Sequence, residues 1–476
     1  MHPSETPYFE AIRPNYAEEF HCIGPACEDT CCQGWSVPID QAAWAKYQAV
    51  PPGPLRTLLD VSVLRTPEKD DSEGRAASAL FAQMRMTPEN ACPLHGADGL
   101  CRIHAALGEA FLPTTCATYP RILRSFAGRQ EMALSLSCPE AARLVLLNPK
   151  LLSDAAPEQA PESWQKFGFN SDLPFEIGNP LLLYAQPIRN SVLTLVQNRN
   201  YPLWQRMFLL GIFCRRLDAI NGGELRRAIP AFLNDFEATI AVGGLRAELQ
   251  TVPADHQRQL DLVLQMAGML LHRSNVRPRF VACIEAFTAG IGNGPGATLE
   301  SLTAQYGAAY DRYFAPFLRR EPHILENYLI NTIFRCQFPF GRDGLKPDAR
   351  PSLGREFALL TSQFALIKGL LIGVAGFHGE HFAPEHVVHT VQTASKHFEH
   401  HPEFLTQAQM LLTECQMDGA RGLAILLRNV ETHSPHQPMA EKRHPGPQPG
   451  MNPRRGSRSP EPGLNFEEAE EIAPLV

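Results

Sequence analysis

The sequence predicts a mainly α protein in which a small Cys-rich N-terminal unit, with a short β-hairpin, packs on an all-helical domain. Three observations carry that expectation. Eight of the twelve cysteines lie between Cys22 and Cys138, and the other four are scattered at Cys214, Cys283, Cys336 and Cys415. From Leu182 onward, helix-length segments repeat apolar residues at a spacing of three and four. Strand-like alternation is nearly absent from that later part. The expected organisation is a Cys-rich unit over 1–150, a linker over 151–181, a helical domain over 182–432 and a disordered Pro-rich tail over 433–476. A chain of 476 residues, 44% of them hydrophobic, has room for two or three cores at about 100–200 residues each.

The elements follow in order. "DQAAWAKYQAV" opens on Asp40, a good helix N-cap, and should form a helix. "RILRSFAGRQEMALSLSCPE" reads as two short strands around a Gly-containing turn, ending at Cys138. "PEAARLVLL" then starts a helix with Pro139 in its first turn. The polar, Pro-rich "LLSDAAPEQAPESWQKFGFNSDLPFEIGNP" reads as the linker. "PIRNSVLTLVQNR", "PLWQRMFLLGIFCRRLDAI", "DHQRQLDLVLQMAGMLLHR" and "VRPRFVACIEAFTAG" each read as helices. In a later helix Phe357, Leu360, Phe364, Ile367 and Leu371 form one apolar stripe. "SPHQPMAEKRHPGPQPGMNPRRGSRSPEPG" has too few apolar residues to offset its chain entropy, so it should be disordered.

Composition excludes some functions. The net charge of −7 argues against nucleic-acid binding through a basic surface, and is compatible with a lysine-bearing substrate. "FALLTSQFALIKGLLIGVAGF" comes nearest to a membrane span, but Ser362, Gln363 and Lys368 interrupt it, and it reads as a buried core helix. The N-terminus shows no basic start followed by an apolar run. The expected compartment is the cytoplasm, where disulfides are disfavoured.

The clustered thiols run Cys22-x4-Cys27-x3-Cys31-Cys32, then Cys92-x8-Cys101-x14-Cys116-x21-Cys138. Eight unrelated cysteines, a disulfide framework and metal or iron–sulfur ligation are the competing readings. The density argues against the first. The chain's size and expected compartment argue against the second. Metal ligation is favoured, because thiolates bind soft cations and distant ligands would tie together a unit with a thin core of its own. Neighbours in a strand face opposite sides, so Cys31 and Cys32 share one ion only if the backbone bends. Eight thiols suit two tetrahedral sites, or one cluster with spares; His95 and His104 are alternative ligands. The spacing matches neither zinc knuckles nor the common ferredoxin runs, so it leaves the metal open.

"FHCIGPACEDTCCQGWSVPID", "CPLHGADGLCRIHAALGEAFLPTTCATYPR" and "LSLSCPEAARL" closely resemble the flagellin lysine-N-methylase family, and the wider group of zinc- or iron-chelating cysteine-cluster domains. "NYLINTIFRCQFPF", "FALIKGLLIG" and "TASKHFEHHPEFL" extend the resemblance to about residue 432. It implies a cytoplasmic enzyme that methylates lysine side chains of flagellin with S-adenosylmethionine. It also implies an iron–sulfur cluster, 4Fe-4S by preference with zinc as the alternative, drawn from Cys22, Cys27, Cys31, Cys32, Cys92, Cys101, Cys116 and Cys138. The rival reading is a non-catalytic metal carrier or flagellin-binding factor.

No methyltransferase cofactor loop is evident. "AGIGNGPGAT" has the glycines but follows a helical segment, and reads as a helix–helix loop. Arg121 is a candidate clamp for the cofactor carboxylate, with a local salt bridge as the alternative. Seven histidines between His378 and His401 read as a polar helix face, in which spacing would pair His386 with His389 and His397 with His400 or His401.

Overall fold

The computed structural model describes residues 14, 16–66, 81–127, 129–152, 180–220, 225–272, 276–341, 352–401 and 403–430. The tail and most of the expected linker lie outside the described residues.

Two hydrophobic cores organise what is described. The smaller gathers β1 (Pro38–Ile39), α1 (Gln41–Gln48), α2 (Pro54–Ser62), β2 (Val63–Arg65), β3 (Ala82–Met84), α3 (Arg102–Leu107) and α4 (Thr114–Thr118) around Ile39, Tyr47, Leu59, Met84 and Ile103. Asp40 caps α1 as expected, its carboxylate accepting from the Ala43 N–H at 2.8 Å. The strands form an antiparallel sheet in the order β1–β3–β2, with Val63 opposite Met84 and Pro38 opposite Gln83.

The expected hairpin is β4 (Arg121–Phe126) and β5 (Arg129–Leu134), followed by α5 (Pro139–Leu146) with proline in its first turn. These elements belong to the larger core and pack on the helical body. The dock is α14 (His323–Cys336), which presents two amides one turn apart. Asn331 donates to the Leu134 carbonyl at 2.8 Å and accepts from the Leu134 N–H at 3.1 Å, as a neighbouring strand would. Asn327 donates to the Val145 and Asn148 carbonyls at 2.9 and 2.6 Å, closing the C-terminus of α5.

The helical body comprises α6 (Ala185–Gln197), α7 (Leu203–Ala219), α8 (Leu225–Ala241), α9 (Arg246–Thr251), α10 (His256–Leu271), α11 (Pro278–Gly290), α12 (Leu299–Ala309), α13 (Ala315–Arg320), α14, α15 (Leu353–His378), α16 (Pro384–Phe398), α17 (Phe404–Glu414) and α18 (Ala420–Leu427). At its centre runs α15. It is long and apolar enough to cross a membrane, yet its most apolar window is wholly buried among the other helices. The stripe read from the sequence is buried, and so are the opposite faces. Gly369, Gly373 and Gly376 let neighbours reach the backbone of α15. A Cβ on Gly373 would sit 2.3 Å from the Phe287 ring, and one on Gly290 of α11 would sit 1.8 Å from the Gly373 carbonyl. "AGIGNGPGAT" joins α11 to α12, as the helix–helix reading expected.

Lys368 is the one lysine that α15 carries into the core. Its amine donates to the Leu427 carbonyl at 2.9 Å and to Asn429 Oδ1 at 2.5 Å, and burial pulls its pKa down to about 7. A neutral amine has two N–H donors, which match these two acceptors. Its folded pKa lies below the unfolded value, so the unfolded chain binds the extra proton between about pH 7 and 10.5. Stability should therefore rise across that window by roughly 1.4 kcal/mol per pH unit from this group. Urea titrations of wild type and Lys368→Met at several pH values check this: the variant should lack that part of the slope.

Candidate thiol centre and adjoining groove

The loop from Cys22 to Trp35 turns sharply at Gly24, whose φ of 56° suits glycine. Cys22 Sγ accepts from the Gly24 N–H at 3.5 Å, and Cys27 Sγ donates to the Asp29 carbonyl at 3.0 Å. Asp29 then ties the loop to the helical body. Its carboxylate meets Lys396 Nζ at 2.9 Å, Gln392 Nε2 at 2.8 Å and Arg277 Nη2 at 3.2 Å, with 3% of its side chain exposed. Lys396 also donates to the Thr30 carbonyl at 2.7 Å. Burial opposes the charge on Asp29, but Lys396 and the other donors outweigh it and hold the carboxyl below its ordinary range.

The thiols converge from four segments. Cys32 is fixed by its N–H to Thr30 Oγ1 at 3.0 Å and by its carbonyl to the Cys92 N–H at 2.7 Å. Cys101 forms a β-bridge with His95, Cys116 lies in α4 and Cys138 is the N-cap of α5. Their electrostatics sort them. Cys116 is raised by burial and then by Cys32, Cys101 and Cys92; Cys92 is pushed up to about 11 by burial, with Cys32 and Cys101 adding to it. These four sulfurs line the smaller core. Cys138 is pushed up to about 12 by burial, with Cys27 and Cys22 adding to it, and Cys22 likewise raises Cys27. Cys31 joins the two sets, because Cys32, Cys116 and Cys22 all act on it. Cys31 and Cys32 act most strongly on each other, which raises Cys31 and lowers Cys32.

The expected metal-binding unit is not present as a closed cage. Among the described residues no three His, Cys, Asp or Glu side chains are gathered closely enough to hold a metal ion. Closing such a cage would require thiolates at Zn–S distances of about 2.3 Å. The donor chemistry suits a thiophilic centre, with four sulfurs in one set and three in the other, joined by Cys31. His95 Nε2 lies 3.4 Å from Thr30 Oγ1 and its ring acts electrostatically on Cys32, while His104 is exposed on α3. Arg121 is placed at a packing joint. Its guanidinium donates to the Phe20 carbonyl at 2.7 Å and lies 5.0 Å from the centre of the Phe20 ring.

The histidines do not form a simple polar face. His378 stacks on His386 at 3.7 Å, and His386 Nδ1 accepts from the Ala383 N–H at the start of α16. His397 is buried against Phe280 at 4.2 Å, and its Nε2 accepts from the Arg277 N–H at 3.2 Å. His400 faces the Cys-rich unit. Its Nε2 lies 3.0 Å from Ser137 Oγ, which meets Tyr119 OH at 3.0 Å and Ser135 Oγ at 2.6 Å. Ser135 donates to Glu399 at 2.6 Å, and the other oxygen of Glu399 lies 3.4 Å from Arg335. These contacts form one continuous chain from His400 through Ser137 and Ser135 to Glu399. On its outer side, His400 and Trp35 border a groove of about 680 Å³. Asp29, Glu399 and the two serines escaped the sequence reading; "TASKHFEHHPEFL" had been singled out and contains Lys396, Glu399 and His400.

Fold and site define a thiol-rich unit clamped onto a helical body by charge pairs. A family model described as the FliB lysine N-methylase C-terminal domain matches residues 189–426, which is that helical body. The chain belongs to the FliB lysine N-methylase family. It is 24% identical over 374 residues to the lysine-N-methylase of Salmonella typhimurium, and equally to that of Salmonella choleraesuis, covering 77% of this chain and 85% of each relative. It is 30% identical over 142 residues to the flagellar biosynthetic protein FliU of Salmonella muenchen, covering 29% of this chain and 79% of that one. No solved structure matches.

Proposed function

We propose that this protein transfers a methyl group from S-adenosylmethionine to lysine side chains of flagellin in the cytoplasm. Family membership through the helical body carries the reading, and the flagellar name of one relative supports the substrate. Methyl transfer is an in-line displacement at the sulfonium carbon, so the attacking amine must be neutral, although its unperturbed pKa is about 10.4. The chain from His400 through Ser137 and Ser135 to Glu399 gives that proton a path into the protein.

Cys32, Cys92, Cys101 and Cys116 are the four thiols we assign to a 4Fe-4S cluster, with Cys22, Cys27, Cys31 and Cys138 as the adjoining set. Such a cluster would serve as a structural tie between segments, because displacement by a neutral amine needs no electron transfer. Protein purified anaerobically should contain iron and inorganic sulfide in equal amounts, and should move label from S-adenosylmethionine into flagellin lysines. Zinc without sulfide would replace the cluster assignment by a zinc site. Flagellin bound but left unlabelled would overturn the enzyme reading.

A further inference from the structure

Tyr47 is the orphan of the smaller core. Its side chain is 1% exposed, and among the described residues its buried hydroxyl has no hydrogen-bond partner. A buried hydroxyl without an acceptor is costly, and phenylalanine in its place would avoid the cost. The ring packs in the core that the sulfurs of Cys32, Cys92, Cys101 and Cys116 line. Burial raises the phenol well above its ordinary range, and Cys116 and Cys101 add to it, ahead of Asp40 and Cys92. The position of the ring is fixed from both ends of α1. Asp40 caps the helix with one carboxylate oxygen and accepts the Thr114 N–H of α4 with the other, each at 2.8 Å. The helix that carries Tyr47 and the helix that carries Cys116 therefore share one anchor. Lys46, beside Tyr47 in the chain, donates to the Ala110 carbonyl at 2.5 Å.

The four sulfurs differ in the donors they receive. The Thr30 hydroxyl reaches Cys32, the N–H groups of Leu94 and His95 face Cys92, and those of Ile103 and His104, at the start of α3, face Cys101. Cys116 draws no such donor among the described residues. One sulfur thus lacks a donor and one donor lacks an acceptor, within the same core. A thiol is a weak acceptor, whereas a charged sulfur is a strong one. The two are matched only when Cys116 gives up its proton to bind metal. We propose that Tyr47 donates a hydrogen bond to the Cys116 thiolate of the inorganic centre and so holds that ligand in place. The proposal rests on the metal-centre reading and deepens it, adding a positioning residue that touches no metal and yet sets how firmly the metal is kept.

Tyr47→Phe in the full-length chain tests this, because it keeps the ring and removes only the hydroxyl. In the loaded, anaerobically prepared protein it should speed metal release to a chelator roughly two- to tenfold, the range of one lost hydrogen bond. With iron and sulfide bound, the midpoint potential should also become more negative, since hydrogen bonds to cluster sulfurs favour the reduced state. In the metal-free protein the same change should leave the urea midpoint where it is or raise it, because an unpaired buried hydroxyl has been removed. A loaded variant with wild-type release, or with an unshifted potential, would overturn the role of Tyr47 and leave the centre standing. A metal-free variant less stable than metal-free wild type would overturn it too, by showing that the hydroxyl serves the fold. Wild-type protein that holds neither iron nor zinc would overturn the centre and the proposal together.

Discussion

Alanine at Gly290 should destabilise the protein by about 3 kcal/mol or more, beyond the usual range for overpacking a core. The added Cβ would lie 1.8 Å from the Gly373 carbonyl and 2.6 Å from the Phe377 nitrogen, both backbone atoms of α15. Side chains can yield by changing rotamer; the backbone of a helix buried on every face has nowhere to go. Gly373→Ala meets the Phe287 ring at 2.3 Å and should behave similarly. Urea unfolding followed by circular dichroism should show a lower midpoint with the slope unchanged. Gly268→Ala is the control. It lies in α10 with nothing within 4 Å of the new methyl, so it should stabilise by roughly 0.4–1 kcal/mol through the unfolded chain.

Asp29→Ala should have the second large effect, about 3 kcal/mol, because it leaves the largely buried Lys396 and the half-buried Arg277 without their common partner. Lys396 retains the Thr30 carbonyl, but that oxygen is carried by the same loop. The loss should be visible in function as well. With the tether gone, a chelator should strip the proposed cluster from the anaerobically prepared protein faster than from wild type, read by the decay of absorbance. The pH dependence has a defined sign. The folded carboxyl of Asp29 titrates below its unfolded value of about 3.8, so its contribution is complete above that pH and is lost as pH falls through the folded pKa. Asp29→Ala should remove this share of the acid sensitivity. Lys396→Met added to Asp29→Ala should cost less than the sum of the two single changes, since both break one pair.

The helices were legible because their signal is local. Amphipathic spacing and caps such as Asp40 act within a few residues, and α1, α5, α6, α7, α10 and α11 lie where the pattern placed them. The hairpin ending before Cys138 was legible for the same reason. The three-stranded sheet was not, because strands of two or three residues are too short for alternation to register. The stripe on α15 understated its burial, since an all-round apolar helix carries little angular information. Its glycines were visible, but their meaning depends on Gly290 in another helix. The eight clustered cysteines stood out by density alone, whereas their grouping is a matter of tertiary approach. Asp29 gave no signal at all: one acid in a thiol-rich loop looks solvated until its partners fold against it. His397, read as part of a polar face, is buried because Phe280 and the Arg277 backbone cover it.

The knot at Asp29 bears on the order in which this chain can mature. Arg277 follows it by 248 residues and Gln392 by 363, so the four cysteines from Cys22 to Cys32 leave the ribosome long before their loop has this anchor. Only when the late helices emerge can these pairs form, so the loop gains its anchor at the end of synthesis.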